Sequence, residues 1–323
     1  MAVAAPPVRP VTLDEIRAAR ERIRGIAVRT PLIRLRHDAE EPEVWLKLEN
    51  LQPINAFKIR GAANAVAMLS PEERRRGVWT ISAGNAGQGV AYAAREAGIP
   101  CTVLAIDPAA ETKIDRMRKL GARLVRAPFD RCWKAMEERA FPGIEGAFVH
   151  PFDDHDFVAG NATLGLEILE DLPNVKTIIA AIGGGGLISG IGSAVRQLAP
   201  SVRILGAEPE TAAPGALSFQ KGSPQVFDRW QASFVDGAGG KSMFPRMWER
   251  MHGIVDGSVV VTLDEVRRAM RLVAEMARVI AEGAGALGVA AAMSGQAGDG
   301  PIVAVVSGGN IDLKKFAELV TGE

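Results

Sequence analysis

The sequence predicts an α/β protein of two domains, each built on an open, mostly parallel sheet covered by helices. Three features carry that prediction. Short apolar runs alternate with amphipathic or alanine-rich segments along nearly the whole chain, the order that builds parallel sheets. Several runs, such as residues 177–182 and 301–306, are apolar throughout, so their sheets are covered on both faces. The runs also fall into two groups. One spans residues 77–150; the other occupies the chain on both sides of it. This predicts a small domain, 77–150, inserted into a large one made of 1–76 and 151–323.

Each element has a local reason. Thr12-Leu-Asp-Glu15 is a capping box. Ile16, Ala19 and Ile23 follow at helical spacing, and the helix should stop near Gly25. Residues 44–48 alternate and read as a strand. The stretch Gln52-Pro-Ile-Asn-Ala-Phe-Lys58-Ile-Arg-Gly61 leads into an alanine-rich helix over 61–69. A strand over 77–82 runs into Ala83-Gly-Asn-Ala-Gly-Gln88 and a helix over 89–97. Strands at 98–105, 122–126 and 147–150 and helices at 111–120 and 131–140 complete the insert. A helix over 161–171 and a strand over 177–182 precede four glycines, Gly183 to Gly186. A helix to 198 and a strand over 203–208 follow, then an irregular stretch over 209–257. Thr262-Leu-Asp-Glu265 opens a second capped helix toward 281. Its box is shared capping chemistry and not a repeat, because the flanking sequences differ. Glu282-Gly-Ala-Gly-Ala286 starts an alanine helix, and a buried strand over 301–306 ends at Ser307-Gly-Gly-Asn310.

Composition narrows the function. The 323 residues carry no formal net charge, which gives no pull toward nucleic acid or an anionic membrane. Cys101 and Cys132 lack metal-type or CxxC spacing, so a reducing cytoplasm is the expected compartment. No stretch is apolar for long enough to span a bilayer, and the proline-rich start does not read as a signal peptide. His37, His150, His155 and His252 form no HxxxH or HxH pair. Asp153-Asp-His-Asp156 reads as a solvated loop and Arg74-Arg-Arg76 as an exposed helix end. No G-x-S-x-G elbow is present.

Chemistry concentrates in four places. Lys58 lies between Phe57 and Ile59. Apolar surroundings lower a lysine pKa, and a neutral amine can attack a carbonyl or act as a base. Three glycine-rich turns follow strands directly: Ser82-Ala-Gly-Asn85, Gly183-Gly-Gly-Gly-Leu187 and Ser307-Gly-Gly-Asn310. Ligands of open α/β sheets bind at such strand ends, where glycines let backbone N–H groups approach an anion. The tetrad is the candidate phosphate cradle, although it has neither the Gly-Lys-Ser/Thr of a P-loop nor G-x-G-x-x-G spacing. Tight turns that need positive φ are the alternative. The Ser82 turn offers a hydroxyl, an amide and N–H groups to a carboxylate; a serine cap is the alternative there.

In this order, the four stretches resemble those of the fold-type II pyridoxal-phosphate enzymes, and within them the threonine/serine dehydratases and serine racemases. The similarity covers residues 12 to 316. It implies that Lys58 forms the Schiff base with pyridoxal 5'-phosphate, with Phe57 packed beside it. Gly183, Gly184, Gly185, Gly186 and Leu187 would hold the phosphate, Asn85 the phenolic oxygen and Ser307 the ring nitrogen. Ser82, Ala83, Gly84, Asn85 and Ala86 would hold the substrate. The implied reaction is β-elimination from a β-hydroxy-α-amino acid such as L-threonine or L-serine, giving a 2-oxo acid and ammonia. A serine at 307 leaves the pyridine a weaker electron sink, which suits prompt elimination.

Three departures bear on this. Ala86 stands where the family commonly has histidine, making room for a bulkier substrate such as 3-phenylserine or 3-hydroxyaspartate. Ala83 replaces the serine that racemases use as an acid. Glu208 and Ala212 match two positions of the racemases' metal site, but Pro214 replaces an expected carboxylate, so no metal is assigned. An amino-acid racemase and a non-catalytic phosphate-ligand-binding protein are the competing readings. The resemblance further implies a homodimer and, from the short stretch after Asn310, no C-terminal regulatory domain. No nucleic-acid or membrane partner is expected.

Overall fold

The computed structural model describes residues 5–36, 42–107 and 111–322. His37 lies outside them. Among the described residues, ten strands form two sheets. The larger has six: β1 (Leu32–Arg34), β2 (Val44–Lys47), β7 (Thr177–Ala181), β8 (Arg203–Pro209), β9 (Gly257–Val261) and β10 (Ile302–Val305). Their order is β1-β2-β10-β7-β8-β9. β1 runs antiparallel to β2, and every other pair is parallel. The smaller sheet contains β3 (Val78–Ile81), β4 (Cys101–Asp107), β5 (Arg123–Pro128) and β6 (Ala147–Phe148), all parallel, in the order β5-β4-β3-β6.

The apolar strands divide their side chains between two cores, as a period of two requires. Leu46, Ile179, Leu205 and Ala304 pack with the helices Leu263–Ala277 and Gly283–Met293 on one face. Ile178, Ala180, Ile204 and Val303 pack on the other with His155–Asp171, Gly186–Leu198 and Pro245–Met251. A third core joins Ile59, Ala62 and Val66 of the helix Lys58–Ala67 to Val78 of β3 and Val103 of β4. The lysine-bearing helix thus shares a core with the smaller sheet while packing on the helices Asn85–Glu96 and His155–Asp171.

Several expectations need correction. The stretch 209–257 is not irregular throughout. It holds the helices Pro214–Lys221 and Pro245–Met251 and the start of β9. Both helices open with proline in the first turn, where its missing N–H has no intrahelical partner to lose. The lysine helix starts at Lys58 itself, and the helix after the Ser82 turn starts at Asn85, because glycines inside a first turn hide its beginning. Asp153 is not solvated. It is buried and receives hydrogen bonds from Arg139, Arg246 and Arg250, while Asp154 caps the helix His155–Asp171. Both capping boxes, at Thr12 and Thr262, form as expected.

Two contacts fix the lysine helix. A Cβ on Gly160 would lie 2.3 Å from the Arg60 carbonyl oxygen, so only glycine permits this crossing with His155–Asp171. Arg60 is buried beneath the helix. Its Nε donates to Glu49 Oε2 at 2.8 Å and its Nη1 to Glu167 Oε1 at 2.6 Å. Lys47 Nζ pairs with the other Glu167 oxygen at 2.8 Å.

Candidate active site

The first turn of the lysine helix holds Lys58 Nζ 2.6 Å from the Pro151 carbonyl, its hydrogen-bond acceptor. The rings of Phe57 and Phe157 flank the amine at 5.1 and 5.4 Å. Burial brings its pKa down to about 8, and no carboxylate pairs with it among the described residues. The neutral amine is therefore accessible near physiological pH, which gives a physical basis to what Phe57 and Ile59 indicate in the sequence. Pro151 and Phe157 carry no such sequence signal. They reach Lys58 through the end of β6 and the helix after it.

Backbone bonds join the other stretches to this one. Phe57 N donates to Ser307 O at 3.0 Å, and Ala56 forms a bridge with Gly308. The box around Lys58 thus lies against the carboxyl end of β10. Ser307 Oγ donates to Ala284 O at 3.4 Å. The helix Asn85–Glu96 packs so closely behind Lys58 that a Cβ on Gly89 would sit 3.2 Å from the Lys58 carbonyl oxygen. Gly84 N donates to Ser82 Oγ at 3.0 Å, and that helix starts without a side-chain cap. Ala83 and Ala86 add no polar group to it. Asn85 Nδ2 donates to Glu282 Oε1 at 2.6 Å.

The glycine tetrad lies beside Phe152, the residue after Pro151. A Cβ on Gly184 would fall 2.3 Å from the Phe152 ring, and one on Gly183 2.8 Å from the Gly237 carbonyl oxygen. Gly185 has φ +85°. The helix Gly186–Leu198, with Leu187 in its first turn, has no side-chain cap. Its leading N–H groups are the kind that hold an anion. His150, at the same end of β6, is buried and held neutral, its pKa well below the ordinary value because of burial and the nearby cations. Its Nδ1 accepts from Asp153 N at 2.9 Å.

Elsewhere, both Glu208 oxygens are taken. Oε1 accepts from Gly215 N at 2.8 Å, and Oε2 from Ala216 N and Ser258 Oγ, both at 2.7 Å. A divalent cation would face these donors, so the set does not fit a metal.

A half-buried amine held by the Pro151 carbonyl, with an uncapped, glycine-walled helix start packed on the next residue, Phe152, suits a ligand with an aldehyde at one end and a phosphate at the other. Pyridoxal phosphate has both. The chain belongs to the pyridoxal-phosphate dependent enzymes, whose family profile matches residues 23–308. It is 38% identical to an L-threonine ammonia-lyase of Thermotoga maritima over 318 residues, 96% of this chain and 78% of that one. It is 37% identical to a catabolic L-threonine dehydratase of Staphylococcus aureus, covering 96% of this chain and 92% of that one. Maize serine racemase superposes with a TM-score of 0.87 at 30% identity, over 97% and 98% of the two chains.

Proposed function

We propose that the protein is a pyridoxal-phosphate-dependent ammonia-lyase that converts a β-hydroxy-α-amino acid, L-threonine or L-serine in the first place, to a 2-oxo acid and ammonia. The observation that carries this reading is the Lys58 amine, half-buried and hydrogen-bonded to the carbonyl of Pro151, the residue before the Phe152 that packs on the tetrad. The threonine specificity named for its relatives supports the substrate class.

When bound, the cofactor supplies an electron sink for the pair released as the α C–H bond breaks. Lys58 would hold it, and the lysine amine would take the α-proton. The Pro151 carbonyl steadies that proton on Nζ. Gly183 to Leu187 hold the phosphate. Asn85 and Ser307 meet the ring, and Phe57 packs beside the amine. Ser82 to Ala86 receive the substrate carboxylate at the start of Asn85–Glu96, whose positive end favours an anion. The β-hydroxyl would leave as water with the proton held on Lys58, and the released enamine would take up water to give the 2-oxo acid and ammonia.

A second reading concerns the substrate's size. Ala86, in the first turn of Asn85–Glu96, has a side chain far smaller than histidine. That residue supports a bulkier substrate, such as 3-phenylserine or 3-hydroxyaspartate, as the alternative. Racemisation is a weaker reading, because Ala83 offers no hydroxyl.

We also propose that the small inserted unit begins nearer residue 54 than 77; the core shared by Ile54, Ile59 and β3 supports this. A cytoplasmic homodimer fits two free, buried cysteines and the exposed apolar side chains of Met276 and Ile280. Light scattering tests the dimer. No helix among the described residues is long and apolar enough to cross a membrane.

The test of function is an absorbance spectrum followed by 2-oxo acid assays on threonine, serine, 3-phenylserine and 3-hydroxyaspartate, with chiral analysis of recovered substrate. A yellow protein that releases oxo acid is expected. A colourless protein that pyridoxal phosphate cannot reconstitute overturns the assignment. A yellow protein that only inverts the substrate is a racemase.

A further inference from the structure

The Asn85 amide belongs to a chain of hydrogen bonds whose direction is set from one end. Arg116 Nη1 donates to Asn310 Oδ1 at 2.6 Å. A guanidinium is always a donor, so the Asn310 atom facing it must be the oxygen. Asn310 Nδ2 then donates to two acceptors, Ile54 O and Asn85 Oδ1, both at 2.8 Å. With its oxygen taken there, Asn85 turns Nδ2 toward Glu282 Oε1 at 2.6 Å. Every bond runs from Arg116 to Glu282, and flipping either amide breaks at least one of them.

Glu282 ends the chain as a buried acid, 6% exposed. It is pinned to the end of β10. Its N donates to Gly308 O at 3.0 Å, and a Cβ on Gly308 would lie 2.3 Å from Oε1. The charged groups around it are Asp236, Lys113 and Arg116. Lys113 is paired with Asp236 and Arg116 with Asn310, so neither neutralises Glu282 directly. Lys58 and the neutral His150 are the other titratable groups of the site. None of the steps above uses Glu282.

We propose that Glu282 is a positioning residue: with Arg116 and Asn310 it locks Asn85 so that the amide's second N–H is what Asn85 offers the cofactor, an obligate donor for an oxyanion on the ring. This rests on the reading that the chain binds pyridoxal phosphate. An ionised Glu282 holds Asn85 through a charge-assisted bond, and a protonated one holds it more weakly. Burial raises its carboxyl pKa to about 7, so both forms occur near neutrality: the neutral acid below that pH, the carboxylate above it. The donor that Asn85 presents, and with it the electronic state of the ring, should follow this titration.

The test is the absorbance of the bound cofactor from weakly acid to weakly alkaline pH, in the wild type and in Glu282→Gln. Glutamine keeps an acceptor for Asn85 and removes the charge. The wild-type band should shift with a midpoint near 7, and the variant should stay yellow with a band that no longer moves with pH. Asn85→Ala severs the same link and should also abolish the shift, which keeps the test open if Glu282→Gln does not fold. A wild-type band that does not move with pH, or an unchanged transition in both variants, overturns the role of Glu282 and leaves the Lys58 assignment standing. A merely structural Glu282 would lower the melting temperature of the variant and leave the pH transition in place. A wild-type protein with no chromophore sinks the cofactor reading itself.

Discussion

Lys58 is a base whose strength is set by burial. With a pKa of about 8, its neutral fraction rises about tenfold per pH unit below that value and levels off above it. The rate at which the cofactor-free protein captures pyridoxal phosphate should follow the same curve, as read by the growth of the absorbance band after mixing. A flat profile across neutrality would show that Lys58 is not the capturing amine. Lys58→Ala should give no such band and lower activity by on the order of a thousandfold or more. The lysine was legible in the sequence because its apolar neighbours stand beside it. Its hydrogen-bond acceptor was not, because Pro151 lies 93 residues on and reaches it through the fold. Asn310 was visible as a strand-end asparagine, but its tie to Arg116, 194 residues away, left no mark in either local stretch.

At the scale of elements, the tetrad is glycine because of what surrounds it. An alanine at 184 would drive its Cβ into the Phe152 ring. Overpacking of this kind costs about 1–3 kcal/mol, so Gly184→Ala should weaken cofactor affinity roughly ten- to hundredfold. Adding Phe152→Ala should recover most of that loss if the ring is the obstacle. Equilibrium dialysis of both variants decides it; no recovery in the double variant would mean that the backbone itself needs glycine. Strands and capped helices were readable here because their signals are local: an apolar run or a box of four residues. The helices Pro214–Lys221 and Pro245–Met251 were missed because proline breaks a helix inside and favours one at its first turn, and only the packing against β8, β9 and the tetrad separates the two cases.

Across the whole molecule, Arg60 ties the lysine helix to both Glu49 and Glu167 in the dry interior. Removing one partner of such a buried set costs about 3–5 kcal/mol, since the charges left behind have no water. Arg60→Met should therefore lower the denaturation midpoint by that equivalent. An unchanged midpoint would mean that Lys47 alone satisfies both carboxylates. The sequence showed strands in two groups. It could not show that the lysine helix shares a core with the smaller sheet, since that depends on which apolar face meets which.

The strand order has one more consequence. β10 is the last strand made and lies between β2 and β7. Until it emerges from the ribosome, β2 has no parallel neighbour and Phe57 has no Ser307 carbonyl to bond. A nascent chain therefore has no finished pocket until nearly all of it has been synthesised. Any product of premature termination upstream of β10 would be made without the means to keep a cofactor, and quality control would meet it as a chain with an open sheet.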